Sequence, residues 1–212
     1  MNRIATPFVL SLTLLAVVSS PATSGVPSPF NSTTPSCFAP CPMGDVAFTV
    51  VVRDIANNPI AGSTVAFVFS NCTNAFICNP LPNDDYVTDL PGRTLHGTTN
   101  AAGSVTMHLR VGGTGPAGCV GLFADGVNLH SYVLASPDQD GNGLCVSIIG
   151  NDDPIFAAKL GTADPTADFD CSGGVVDEFD QAYFFQHHSH SCRGFVDAAR
   201  RGTWGTLKLH YR

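Results

Sequence analysis

The stretch ADFDCSGGVVDEFDQAYFFQHHSHSC, residues 167–192, decides how the second half of this chain folds. It places three oxygen-bearing side chains at alternate positions, Asp168, Asp170 and Ser172, and follows them with Gly173. Alternate residues of a tight loop direct their oxygens inward and a glycine lets the chain turn back, which is how proteins surround Ca²⁺ with about six to eight oxygen atoms. The stretch therefore predicts a calcium-binding loop followed by a short helix.

An upstream copy of the pattern occupies residues 136–161, with the sequence SPDQDGNGLCVSIIGNDDPIFAAKLG. Asp138, Asp140 and Asn142 again alternate, Gly143 supplies the turn, and an apolar segment follows. The alternative is that both stretches form solvated turns, because Asp and Asn side chains readily bond to their own backbone. Two tandem copies, each ahead of an apolar segment, favour calcium loops.

The carboxylate that closes a regular calcium loop stands at its last position, and both copies depart from that rule. In the second copy the acid arrives one residue late, as Asp180, as though Gly174 were inserted. In the first copy the nearest acids, Asp152 and Asp153, come several residues late. We therefore rank the second site above the first. The candidate calcium ligands are Asp138, Asp140, Asn142 and Asp152 in the first loop, and Asp168, Asp170, Ser172 and Asp180 in the second.

Residues 1–24 have the composition of a secretory signal peptide. Arg3 precedes an apolar run at residues 8–18, and small residues, Ala22 and Ser24, end the segment. The run is shorter than the roughly 20 apolar residues that span a bilayer, and no later stretch approaches that length. We expect an exported protein, secreted or at the cell surface, with no membrane span once the signal peptide is removed.

The charge of the chain argues against a nucleic-acid partner. The formal net charge is −7, and no basic patch interrupts it. Much of the acidity lies in the two loops, which fits cation binding better than a general solvating surface. The sequence also has no nucleophile elbow, P-loop or zinc-protease helix, so we expect no enzymatic activity.

The chain has eight cysteines, all after the predicted cleavage site. An even number in an exported protein predicts a disulfide framework. Zinc is the alternative, but no two of these cysteines have the two-residue gap of a zinc knuckle. Cys171 and Cys192 bracket the second loop and its helix, and we expect them to pair. A clip between Cys72 and Cys78 is a second expectation, and the remaining connectivity stays open.

Residues 45–135 carry the pattern of an all-β domain. Short runs of β-branched and aromatic residues alternate with Gly, Pro and Asn, which is typical of a β-sandwich. The strands at residues 46–54 and 64–69 are expected to form a hairpin, and Asp125-Gly126 is a favoured tight turn. Residues 25–44, rich in Pro, Ser and Thr, are expected to form an extended leader outside the core.

Particular motifs in both halves resemble known families. VRDIANNPIAGSTVAF, GTTNAAGSVTMHL and ADGV, which begin at residues 52, 97 and 124, resemble a bacterial immunoglobulin-like domain of the invasin/intimin kind. Residues 136–192 resemble a type I dockerin, a pair of EF-hand-like loops that each lack the leading helix. The resemblance implies a mainly β fold, an immunoglobulin-like β-sandwich followed by a small α-helical dockerin-like module.

The resemblance also implies a function. We expect a non-enzymatic Ca²⁺-binding protein that serves adhesion, assembly or docking outside the cell, with an extracellular protein or glycan as partner. One alternative is an accessory or targeting subunit of a polysaccharide-degrading system, and another is a small hydrolase. A dockerin that binds cohesin usually carries a Ser-Thr-like pair late in each loop, where this chain has Ile148-Ile149 and Asp177-Glu178. A cohesin partner therefore stays open.

Two further features allow two interpretations each. His187, His188 and His190 are suited to a transition metal, or they form a polar helix end, where histidines are favoured. Residues 193–212 form a C-terminal tail in which Leu207 and Leu209 alternate with polar residues. The tail is expected to be a last strand or a loosely attached terminus.

Overall fold

The computed structural model of the chain describes residues 25–145, 151–192 and 194–195. The predicted signal peptide and the predicted tail strand lie outside these residues. The described part is mainly β, with antiparallel strand pairs and two helices. Its strands are β1 (Phe48–Val51), β2 (Thr64–Val68), β3 (Phe76–Ile77), β4 (Val87–Asp89), β5 (Thr94–Thr98), β6 (Ser104–Met107), β7 (Val111–Gly112), β8 (Thr114–Ala124), β9 (Val127–Ala135), β10 (His190–Ser191) and β11 (Gly194–Phe195); its helices are α1 (Asp152–Lys159) and α2 (Glu178–Gln186). Neither helix is long and apolar enough to cross a membrane.

The largest sheet has five strands in the order β4-β5-β2-β8-β9. β8 and β9 form the hairpin predicted at Asp125 and Gly126, whose φ angles of 46° and 83° lie in the left-handed region that such a tight turn requires. The predicted hairpin between the first two strands is wrong. β2 lies between β5 and β8, whereas β1 pairs with β6 in a separate sheet. Alternating apolar residues identify a half-buried strand, but they do not identify its neighbour.

One hydrophobic core lies between the five-stranded sheet and the β1-β6 pair. At its centre is Phe38, whose ring centroid is 4.8 Å from that of Phe48 in β1 and 5.0 Å from that of Phe67 in β2. Phe38 is only 1% exposed. The expectation that residues 25–44 lie outside the core is therefore wrong. A segment with little periodicity still contributes one large apolar side chain that fills the space between two sheets.

The disulfides also differ from the expected pairs. The three bonds are Cys37–Cys171, Cys72–Cys119 and Cys78–Cys192. The predicted Cys171–Cys192 and Cys72–Cys78 pairs are thus wrong, because the fold brings each of these cysteines against one far away in the sequence. Two bonds join the helical part of the chain to the β part, through Cys37 and through Cys78. The prediction that the chain carries disulfides is confirmed.

A second, smaller core holds the two helices together, and both helices lie in the predicted apolar segments. Phe156 of α1 and Phe184 of α2 are buried in this core with Phe169 of the second acidic loop. α2 begins with a capping box between Asp177 and Asp180, in which the Asp180 carboxylate accepts from the backbone N–H of Asp177 at 3.0 Å; the Asp177 carboxylate also accepts from the N–H of Phe179 at 2.9 Å. This cap fixes where the helix starts relative to the loop that precedes it.

Candidate metal-binding loops

The first acidic loop brings together three carboxylates. Ligand oxygens of Asp138, Asp140 and Asp152 lie within 4.8 Å of one another. Asp138 comes directly after β9 and its following turn, whereas Asp152 is the first residue of α1. Asp138 and Asp152 are both 0% exposed. The late acid of the first copy, Asp152, therefore reaches the site from the start of α1.

Backbone N–H groups set the shape of this loop. Asn142 donates to Asp138 Oδ1 at 3.0 Å, and Gly143 donates to Asp138 Oδ2 at 2.7 Å. The N–H of Asp140 donates to Asp152 Oδ1 at 3.1 Å. Gly143 has a φ of 80°, a left-handed conformation that glycine adopts without strain. The loop thus curls around its first aspartate and is closed by the acid from α1.

The second loop repeats this arrangement. Asp168, Asp170 and Asp180 form its carboxylate group, again within 4.8 Å. The Ser172 N–H donates to Asp168 Oδ1 at 3.0 Å, and the Gly173 N–H donates to Asp168 Oδ2 at 2.9 Å. The N–H of Asp170 donates to Asp180 Oδ1 at 3.2 Å. Each bond has its counterpart in the first loop.

The two loops differ in how the closing acid is held. Asp180 is the third residue of α2, and its Oδ2 also accepts from the N–H of Asp177 at 3.0 Å. Its Oδ1 accepts a further bond from Phe169 N–H at 2.6 Å. Asp152 Oδ2, in contrast, is buried and has no hydrogen-bond partner among the described residues. A buried carboxylate oxygen without a partner is costly, and a cation next to it would remove that cost.

Burial changes the proton affinity of the first loop. Loss of hydration raises the pKa of Asp138 to about 7, and it raises the pKa of Asp152 to about 7 as well. The neighbouring negative charges add to this effect in both cases. A site with buried, mutually repelling carboxylates is one that a divalent cation stabilises.

The second loop is more open. Burial raises the pKa of Asp168, whereas the backbone N–H of Ser172 lowers the pKa of Asp170. Asp168 is 8% exposed, compared with 0% for Asp138. The first site is therefore the deeper of the two.

The two predicted ligands that are not acids, Asn142 and Ser172, are hydrogen-bonded within their loops. The side-chain oxygen of Asn142 accepts from the N–H of Leu144 at 2.8 Å, so it is engaged within the turn. The hydroxyl of Ser172 bonds to Asp170. The backbone N–H of each residue also orients the first aspartate of its loop. Asp153 lies outside the first group and faces His188, at 3.3 Å.

Two glycines of the β part, Gly112 and Gly113, lie against the first site, and the sequence did not predict this contact. Gly112 of β7 lies so close to Asp138 that a Cβ on the glycine would overlap the carboxylate. The next residue, Gly113, donates its N–H to the Asp138 carbonyl at 2.8 Å. A Gly-Gly pair carries no signal of contact with a loop more than twenty residues away. The β part of the chain thus forms one side of the first acidic site.

The three histidines are separated by the fold. His188 faces Asp153, whereas His187 and His190 lie together with Cys41 and Asp45. The latter four residues form a separate group of potential metal ligands. The histidine part of this group was visible in the sequence, but the cysteine and the aspartate come from a distant segment.

No protein-family model matches this chain, and no curated protein is significantly similar to it.

Proposed function

We propose that the chain is an exported, non-enzymatic calcium-binding protein that serves adhesion, assembly or docking outside the cell. The observation that carries this proposal is the repeat itself. Two loops each gather three carboxylates, and the same backbone N–H groups orient the equivalent acids in both. A solvated turn needs only the local part of this pattern, because its own Asp and Asn side chains can satisfy the backbone without an acid from the following helix. The closing acid is what a cation site requires.

The charge of the two groups supports a cation. None of the six carboxylates forms an ion pair with a lysine or arginine in the described part of the chain. Lys159, the nearest basic residue along α1, instead donates to Gln139 at 2.7 Å and faces Asp164 at 3.6 Å. The acids are thus arranged around a point that lacks positive charge. Oxygen-only ligands in an irregular loop suit Ca²⁺ better than the smaller Mg²⁺, which demands near-ideal octahedral geometry.

We further propose that the two parts are an immunoglobulin-like sandwich and a dockerin-like pair of half-hands. Two sheets around one core support the first assignment, and a loop-helix repeat with its own core supports the second. The disulfides fit an oxidising compartment outside the cytosol. In this scheme calcium stiffens a module that is already joined to the sandwich by two disulfides.

A second candidate function is an accessory or targeting subunit of a polysaccharide-degrading system. It is favoured by exposed apolar side chains on the dockerin-like half, where Phe179 is 65% and Phe185 is 58% exposed. Both belong to α2, the helix after the second loop. Large apolar residues exposed next to a calcium site are suited to contact with a protein partner. A cohesin is one such partner, and its capture by immobilised wild-type protein, but not by a Phe179→Ser variant, would support this function.

Calorimetric titration of calcium into the purified, oxidised protein tests the calcium proposal. We expect two ions per chain, with dissociation constants of about 10⁻⁴ to 10⁻³ M, as in other extracellular modules. Asp152→Asn should abolish binding at the first site, whereas Asp153→Asn, one residue further along the same helix, should not. Asp180→Asn and Glu178→Gln form the matching pair for the second site.

Two results would contradict the proposal. Wild-type protein that takes up no calcium would leave the two loops as solvated turns. Equal binding by Asp152→Asn and Asp153→Asn would show that the closing acid has no role, and would return the loops to the solvated-turn interpretation.

A further inference from the structure

A second kind of metal-ligand group lies where the segment before β1 meets the end of α2. Ligand atoms of Cys41, Asp45, His187 and His190 all lie within 4.8 Å of one another. The Cys41 sulfur is 3.2 Å from His190 Nδ1. Asp45 Oδ2 is 3.3 Å from His190 Nδ1 and 3.5 Å from His187 Nε2. Four different side chains therefore converge on one point.

The hydrogen bonding of His187 fixes which of its nitrogens faces that point. Its Nδ1 lies 2.9 Å from the Tyr183 carbonyl oxygen. A carbonyl oxygen only accepts, so Nδ1 carries a hydrogen, and the neutral ring has its lone pair on Nε2. Nε2 is the atom that faces Asp45. Metal-binding histidines commonly donate their other ring N–H to a backbone carbonyl in this way, which orients the ring toward the metal.

Burial separates this group from an ordinary polar helix end. Cys41 is 0% exposed, His187 3% and His190 5%, while the side chain of Asp45 is 30% exposed. A helix end that needed only solvation would leave its histidines in water. Here the two imidazoles and the thiol are enclosed, and the carboxylate forms the side through which an ion can enter.

The set of donors selects the metal. One thiolate, two imidazole nitrogens and one carboxylate are the ligand types of tetrahedral Zn²⁺. Zinc bonds of about 2.0–2.3 Å at tetrahedral angles place neighbouring ligand atoms about 3.3–3.6 Å apart. Three of the six distances among the four ligand atoms, at 3.2, 3.3 and 3.5 Å, fall at or close to that range. Ca²⁺ is a poor match, because it takes oxygen ligands only.

We propose that Cys41, Asp45, His187 and His190 bind one Zn²⁺ ion in a structural site. The ion would join the segment that contains Phe38 to the end of α2 and to β10. Four protein ligands leave no open position, so the site serves to hold the β part and the helical part together rather than to activate water. This site shares no ligand with the acidic loops, so its proposal does not rest on the calcium proposal.

A disulfide between Cys41 and Cys145 would compete with zinc for the Cys41 sulfur. Cys41 and Cys145 are the two buried cysteines outside the three disulfides, and their thiols are hydrogen-bonded to each other. Oxidation of this pair to a fourth disulfide would take the Cys41 sulfur out of the zinc group. The proposal therefore requires that both thiols stay reduced in the folded protein.

The test is metal analysis of the full chain in the presence of excess calcium, which occupies the acidic loops. We expect one tightly held zinc per chain by mass spectrometry of the metal. Co²⁺ in its place should give the intense visible bands of a tetrahedral site and a thiolate-to-cobalt charge-transfer band. Labelling with a thiol reagent after unfolding and zinc removal should modify Cys41 and Cys145, and no others.

Matched variants assign the ligands. His190→Gln and Asp45→Asn should each weaken zinc binding more than about tenfold, whereas His188→Gln should leave it unchanged. Asp45 is partly exposed, so its variant tests the site even if the buried histidine variant fails to fold. A Cys41–Cys145 disulfide in the peptide map, a cobalt spectrum without the charge-transfer band, or equal zinc affinity in wild type and Asp45→Asn would overturn the proposal.

Discussion

Phe156 and Phe184 stack face to face, with ring centroids 4.4 Å apart and an interplanar angle of 4°. Each ring stands four residues, or about one helical turn, after the acid that closes its loop, Asp152 or Asp180. Equivalent positions of the two loop-helix units therefore meet in the small core. The stacked pair packs together the two helices that carry the closing acids.

Phe184→Ala should destabilise the helical part and weaken both acidic sites. Phe184 is 2% exposed, and the loss of a buried phenylalanine costs about 3–5 kcal/mol. Phe185→Ala, at a position that is 58% exposed, is the control and should cost little. Urea unfolding with and without calcium measures both variants. Equal stability of the two would show that the stacked pair does not hold the units together.

Gly112→Ala should weaken calcium binding at the first site, although Gly112 is not a ligand. A methyl group at this position overlaps the Asp138 carboxylate, so the aspartate must move. Gly174→Ala is the control, because its nearest neighbour is 3.6 Å from the added carbon and its backbone is not left-handed. Calorimetry should show loss of one of two sites in the first variant and none in the second. Retention of both sites in Gly112→Ala would show that Gly112 does not restrict the position of the Asp138 carboxylate.

Peptide mapping of the unreduced protein should find Cys37 linked to Cys171 and Cys78 linked to Cys192. Removal of the first bond by the double change Cys37→Ser, Cys171→Ser should lower the free energy of unfolding by about 2–4 kcal/mol, since the bond closes a long loop. The comparison is the same measurement on reduced wild type. A peptide that links Cys171 to Cys192 would contradict the structure.

The calcium-free protein should become less stable as the pH rises from about 4 to about 7. Burial raises the pKa of Asp138 and of Asp152 to about 7, from 3.8 for an unperturbed aspartate. In that window the folded state keeps protons that the unfolded state has released, so raising the pH favours unfolding. Calcium replaces those protons, and its stabilising effect should therefore grow over the same window.

Denaturation midpoints at about pH 5 and about pH 8, with calcium and with a chelator, measure this effect. Asp152→Asn is the control, because it removes one of the two titrating groups and should flatten the dependence. A calcium-free stability that rises with pH in wild type would show that these carboxylates are not buried in the absence of the ion.

Phe38→Ala should cost about 3–5 kcal/mol, as for other large buried side chains. Phe30→Ala is its matched control in the same N-terminal segment, because Phe30 is 95% exposed. Thermal unfolding of the two variants distinguishes them directly. Equal melting temperatures would place residues 25–44 outside the core, as their composition had predicted.

The sequence by itself determined the local elements. Alternating apolar residues placed several of the β-strands, and Asp125-Gly126 placed one hairpin, since these patterns report backbone geometry over a few residues. The acidic loops and the two short helices were predictable for the same reason. Asp152, the late acid, could also be predicted as a member of the first group, because the spacing of acids after the glycine turn is a local property of the sequence.

Only the tertiary structure decided which distant segments meet. It paired β1 with β6, set Phe38 between two sheets, and joined Cys37 to Cys171 across 134 residues. It also placed Gly112 against the first loop and gathered Cys41 and Asp45 beside the histidines. Such contacts result from the packing of whole faces, and a single sequence carries no periodic signal for them. The physical reason is that short-range sequence patterns determine the local backbone conformation, whereas burial of apolar side chains in the two cores determines which distant segments come into contact.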